Sequence, residues 1–187
     1  MTEVQRPLRA DAARNRARVL AVAYDTFAAE GLGVPIDEIA RRAGVGAGTV
    51  YRHFPTKEDL YRAVVEDRIA SITAEGRAVL DAGPPGEALF TFLRMLVLEW
   101  GATDRGLADA LAGLGIDIKA SIPEVKKSFE DMLAELLTAA QSAGTVRPDI
   151  DVTDLDAILV GAQAMQANNP DAAARLTEVL LDGLRAR

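Results

Sequence analysis

The chain has 187 residues, 49% apolar and 26% charged, enough to bury one ordinary core or two small ones. It has no cysteine and one histidine, His53, which excludes disulfides, thiolate metal sites, cysteine nucleophiles and a histidine-based metal cluster. The net charge of −7 is unevenly spread: residues 1–57 hold nine Lys/Arg and six Asp/Glu, and residues 58–187 hold 12 and 22, a division that suits a polyanionic partner for the first part only.

The stretch MTEVQRPLRADAARNRARVL lacks the apolar core of a signal peptide. The most apolar window, Leu89 to Trp100, is interrupted by Arg94 and falls short of the roughly 20 residues that span a bilayer. The expectation is a cytoplasmic chain with no membrane partner.

Helical periodicity runs through nearly the whole chain. Leu20, Ala23, Tyr24 and Phe27 fall at i, i+3, i+4 and i+7, and Gly31 stops that helix. Ile36, Ile39, Ala40 and Ala43 mark a short second helix ending at Gly44, with Pro35 suited to its first position and Asp37 and Glu38 in its first turn. A third short helix is predicted from Ala47 to just before Pro55. Thr56 and Asp59 have capping-box form, with Asp in place of Glu or Gln, and open a fourth helix through Tyr61, Val65, Ile69 and Ile72 toward Leu80. Residues 81–86, DAGPPG, read as linker punctuation. Leu89, Phe92, Leu93, Leu96 and Trp100 then predict a buried helix, and a short one is expected around Leu107–Leu111. Val125 to Ala140 closes at Gly144, residues 145–150 read as a loop, Leu155 to Met165 is broken by Asn168-Asn-Pro170, and Leu176 to Leu184 is last. The class is all-α, with no internal repeat.

The first three helices, the last two joined through Gly44-Val45-Gly46, have helix-turn-helix proportions. On a wheel of about 100° per residue, Val50 and Phe54 share the packing face of the third helix and Arg52 points nearly opposite. Gly48 lies near Arg52 one turn earlier, while Tyr51 and His53 flank it. Such a helix can offer a base-reading donor in the centre of a major groove and polar groups to its phosphate walls. Lys57 sets a cation at the start of the fourth helix, where backbone N–H groups favour phosphate.

The stretch from Ile36 to Glu58, IDEIARRAGVGAGTVYRHFPTKE, closely resembles the DNA-binding signature of the TetR family of transcriptional regulators. With LRADAARNR before it, the chain resembles the branch with SbtR-like C-terminal domains. The resemblance implies about nine helices in three parts. These are a helix-turn-helix DNA-binding domain over 1–57, a connecting helix over 58–80 and an effector-binding and dimerisation domain over 81–187. It implies a sequence-specific regulator, most simply a repressor, that binds double-stranded operator DNA as a homodimer and is released by a small-molecule effector. No catalytic residue, cofactor or metal is expected. Two positions depart from the family pattern: Pro35 stands where Thr often opens the second helix, and Gly46 where Ser often precedes the third.

The expected DNA contacts are Gly46, Ala47, Gly48, Thr49, Tyr51, Arg52, His53 and Lys57. Arg6, Arg9, Arg14, Arg16 and Arg18 either reach DNA as an arm or form a solvated helix face. The effector is expected to be largely apolar, with Phe92, Met95, Leu96, Trp100, Phe129, Met132 and Met165 as pocket lining, although the same set reads as ordinary core. Arg94, Asp104 and Arg105 are candidate polar anchors. The dimer interface is expected on the last two helices, at Leu155, Ile158, Leu159, Ala162, Leu176, Val179 and Leu180. GVGAGT lacks the spacing, the lysine and the preceding strand of a nucleotide loop.

Overall fold

The computed structural model describes residues 5–101 and 123–186, with side chains from residue 11 onward. Eight α-helices lie among the described residues: α1 (Gln5–Glu30), α2 (Ile36–Arg42), α3 (Ala47–His53), α4 (Lys57–Ala82), α5 (Pro85–Arg94), α6 (Pro123–Ser142), α7 (Val152–Asn168) and α8 (Ala173–Leu184). A π-helical turn, Met95–Glu99, continues α5, and a 3-10 turn, Pro170–Ala172, precedes α8. There is no strand among them, only an isolated bridge between Val146 and Arg185. No described helix is long and apolar enough to cross a membrane. The expected helix around Leu107–Leu111, and the candidate anchors Asp104 and Arg105, lie outside the described residues.

The chain packs as two compact units, divided between Arg68 and Ile69, inside α4. In the first unit Leu20, Ala23 and Phe27 of α1, Ile39 and Ala40 of α2, Val50 of α3 and Leu60 of α4 are buried together. Tyr61 stands edge-on to Phe27 at 4.8 Å and donates its hydroxyl hydrogen to Leu32 O at 2.6 Å. Burial pushes its phenol up to about 12.

The turn between α2 and α3 follows from one glycine. Gly44 has φ +66°, the left-handed region that a side chain disfavours. Its N–H donates to Arg41 O and that of Val45 to Ala40 O, which closes the end of α2 as a Schellman motif. Pro35 caps α2 from outside, with helix beginning at Ile36, one residue later than the sequence suggests. The Thr56–Asp59 capping box forms: Thr56 N–H donates to Asp59 Oδ2 at 3.0 Å and Asp59 N–H to Thr56 Oγ1 at 3.1 Å.

In the second unit, Ile72 from the far half of α4 joins Leu89, Phe90, Phe92, Leu93, Met132, Leu133, Leu136, Leu155, Leu181 and Leu184 in one apolar core. A Cβ at Gly76 would overlap Met132 and Phe92, so this half of α4 lies directly on α5 and α6. The expected linker at 81–86 shrinks to Gly83-Pro84: α4 runs on to Ala82, and Pro85 already occupies a first helical position. Gly86 is buried because the Thr145 side chain packs on it and donates to its carbonyl at 2.6 Å. The apolar run ending at Trp100 is not one α-helix. Trp100 N–H donates to Met95 O, the i−5 spacing of a π turn.

The loop after α6 also holds the far end of α8. Arg147 N–H donates to Leu184 O and Ala186 N–H to Thr145 O, both at 3.0 Å. The guanidinium of Arg185 lies 4.2 Å from the centre of the Phe90 ring.

Candidate nucleic-acid interface

Two apolar anchors fix α3. Val50 is fully buried, and Phe54, just beyond the helix, is 3% exposed and donates its N–H to Val50 O. Seven residues make two turns, so with positions 50 and 54 turned inward, position 52 must face out. Arg52 is exposed, as are Gly46, Gly48, Tyr51 and His53, while Ala47, Thr49 and Lys57 are half-buried. The structure therefore brings the eight expected contact residues to one helix and the start of the next.

The arginines of the first unit divide by their electrostatic state. Glu38 accepts from Arg41 and from Arg42, each at 2.7 Å, and Arg42 also pairs with Glu30 on α1. These guanidinium donors hold the Glu38 carboxyl down at about 2 and lower that of Glu30 in the same sense. The network ties α2 to α1 and consumes the charge of both arginines locally. Arg52 has no carboxylate partner among the described residues. Its charge is left for an outside anion.

Neighbouring groups steady this surface. The Arg16 guanidinium lies over the Phe54 ring at 5.6 Å, so α1 braces the end of α3. Lys57 Nζ stands 5.8 Å from the Tyr61 ring centre, which holds its stem at the mouth of α4. The cap uses the Asp59 amide, leaving those of Lys57 and Glu58 as first-turn donors. Arg14 pairs with Asp11 and Arg18 donates to Asn15, so those two arm residues make contacts along α1 itself. Arg6 and Arg9 lie where no side chain is described. The Glu38 pairs are readable as i, i+3 and i, i+4 spacing; the link from Arg42 to Glu30, twelve residues away, is not.

In the second unit, Phe92 and Met132 are fully buried and Leu96 nearly so, with Trp100, Phe129 and Met165 half-buried around the same core. The Phe92 ring lies 6.4 Å from Trp100 and 6.5 Å from Phe129. Met95 stands outside this cluster, at the first position of the π turn. Arg94 is not a free anchor: it donates twice to Glu178 of α8, at 2.7 and 2.8 Å. Of the expected interface residues, Leu155, Leu159 and Ala162 point into the chain's own core. Ile158, Leu176 and Leu180 are half-buried, and Val179 is 63% exposed. Val160 is 52% exposed, and Gly161 and Ala164 beside it are exposed too. The outward face of these helices is thus offset by one residue on α7 from the expected one.

Comparison with known proteins agrees with this arrangement. Residues 19–64 match the family model of bacterial regulatory proteins of the tetR family, and residues 84–186 that of the transcriptional regulator SbtR-like C-terminal domain. A TetR transcription regulatory protein from Mycobacterium vanbaalenii is similar in structure, with a TM-score of 0.82 and 58% identity over 96% of this chain and 100% of that one. A TetR transcriptional regulator from Streptomyces coelicolor has a TM-score of 0.75 and 35% identity, over 91% and 98%. An HTH-type transcriptional regulator of Staphylococcus aureus is 33% identical over 75 residues, and the match spans only 40% of that relative's length. The helix-turn-helix head, the helical second unit and these matches together show that the chain belongs to the TetR family of DNA-binding transcriptional regulators.

Proposed function

We propose that the chain is a homodimeric repressor, acting in the cytoplasm, that leaves its operator when a small, largely apolar effector binds the second unit. The observation that carries the DNA half of this reading is the unpaired, outward Arg52 set opposite Val50 and Phe54. In a major groove its guanidinium can make two hydrogen bonds to guanine O6 and N7, while Tyr51, His53 and Lys57 reach phosphates to either side. A dimer would present two such helices to half-sites about 34–36 Å apart. The domain limits that go with this reading are 1–57, 58–80 and 81–187.

The exposed valines, Val160 and Val179, with Gly161 and Ala164 beside the first, support α7 and α8 as the dimer face. Four such helices from two chains would form an intersubunit bundle. The aromatic and methionine side chains around Phe92 favour an apolar effector. Release requires that the effector bind the low-affinity arrangement of the dimer better than the operator-bound one. This reading assigns the chain no reaction to catalyse.

Gel-shift with DNA from upstream of the chain's own coding region, with and without competitor, tests the first half. A discrete, competitor-resistant complex is expected, and no retardation at low salt overturns it. Light scattering tests the second: Val160→Arg and Val179→Arg should each give monomers. If both stay dimeric, the interface is elsewhere.

A further inference from the structure

Among the described residues, the side-chain oxygen Gln166 Oε1 is buried without a hydrogen-bond partner. An acceptor in that state destabilises the chain relative to one that is bonded. Buried orphans of this kind call for a reason. Gln166 sits in the last turn of α7, next to Met165, which packs against the core that holds Phe92 and Trp100. Gly101 directly follows Trp100, and a Cβ on it would overlap Gln166 Oε1. The residue ahead of Trp100 ends the π turn Met95–Glu99, a widened backbone that recurs at functional sites. An unsatisfied acceptor, a glycine that makes room for it and a π turn therefore meet beside the aromatic cluster.

We propose that Gln166 is the polar reader of the effector site, and that the effector carries an uncharged N–H or O–H donor on an otherwise apolar body. This rests on reading the second unit as an effector domain. The donor is uncharged because an amide oxygen alone does not offset burial of a cation. Arg94, a candidate polar anchor whose cation could meet a ligand carboxylate, is already engaged twice by Glu178. Binding supplies the missing hydrogen bond, and a ligand of the same shape without the donor leaves the oxygen as it was. The free protein carries the cost until the right ligand arrives.

The test uses the whole chain and matched probe pairs that differ by one methyl on the donor: indole and 1-methylindole, phenol and anisole, 2-naphthol and 2-methoxynaphthalene. Calorimetry should show the donor-bearing member of at least one pair binding about fivefold or more tightly than its methylated twin. Gln166→Leu should erase that ratio and raise the melting temperature of the ligand-free protein. Gly101→Ala, which displaces the amide without removing it, should also erase the ratio. The proposal is overturned if twins bind alike, if the ratio survives in Gln166→Leu, if that variant melts lower, or if no donor-bearing probe binds at millimolar concentration. Operator affinity separates the two readings. Twins that bind alike and still release DNA sink the role of Gln166 and keep the effector function. Donor-dependent binding that leaves operator affinity unchanged keeps Gln166 as a ligand reader and sinks effector release.

Discussion

The two units use arginine and aromatic residues in opposite ways. In the first, Arg41 and Arg42 are spent on Glu38 and Glu30 to fix α2 against α1, and Arg52 is left uncommitted on α3. In the second, Arg94 is spent on Glu178 and the rings of Phe92, Trp100 and Phe129 gather inside. Recognition by the first unit is therefore written on its surface in charge. Recognition by the second would be written in its interior, in shape and one orphaned acceptor. Substitutions should separate accordingly: those in the second unit change stability first, and those on α3 change binding first.

The largest effect is expected at Phe92. Truncating this fully buried ring to alanine should cost about 3–5 kcal/mol and lower the melting temperature by several degrees or more. A Phe92→Ala protein that melts like the parent would mean that the second unit is loosely packed, and the contrast would fail. Next comes Arg52→Ala, which should cost about 1–3 kcal/mol of operator affinity and relax preference at one base pair per half-site, with unchanged melting. Binding-site selection reads this directly. Unchanged base preference would reduce Arg52 to a gripping residue and move reading to backbone approach at Gly48 or to DNA shape.

Thr56→Ala removes the two bonds of the Thr56 hydroxyl, the one it donates to Asp59 Oδ2 and the one it accepts from Asp59 N–H, and should cost about 1 kcal/mol of stability, seen by denaturant titration, with base preference intact. Lys57→Ala should weaken all DNA sequences alike and reduce the salt slope by about one unit. A Lys57 variant with the parent slope would remove that residue from the phosphate wall. The smallest effect is one of pH. Glu38 titrates near 2 in the folded chain against an ordinary 4.5, so its ion pairs stabilise fully above about 4.5 and are lost as the pH falls toward 2. Glu38→Gln should flatten the acid side of the stability curve in that interval, leaving the variant less stable than the parent near neutrality and level with it near pH 2.

Much of the first unit was legible because short helices leave few choices. Two anchors, Val50 and Phe54, fix the rotation of α3, and Gly44 and the Thr56–Asp59 pair fix its neighbours' ends. The second unit resists the same reading because its helices are apolar on several sides. Leu159 and Val160 are adjacent and similar in character, yet one is buried in the core and the other lies open. Hydropathy ranks them alike, and only packing against α8 and the π turn tells them apart. The π turn itself had no signature in the run from Leu89 to Trp100, since a helix widens by one residue without changing its composition. Gln166 carries no signal for a related reason: in a helix rich in alanine, hydropathy does not separate it from Gln163 one turn earlier.

The clasp at the end of α8 has a consequence for how the second unit opens. Helices ordinarily fray from their ends, and the carboxyl end is where carbonyls go unmet. Here Leu184 O is taken by Arg147, Thr145 O by Ala186, and Arg185 rests on Phe90. Local opening of α8 must therefore begin at the Pro170–Ala172 turn and travel toward Leu184. In hydrogen exchange, the amides of Arg147 and Ala186 should outlast those in the first turn of α8, so that a strand-like pair of bonds outside any sheet becomes the slowest-opening end of a helix.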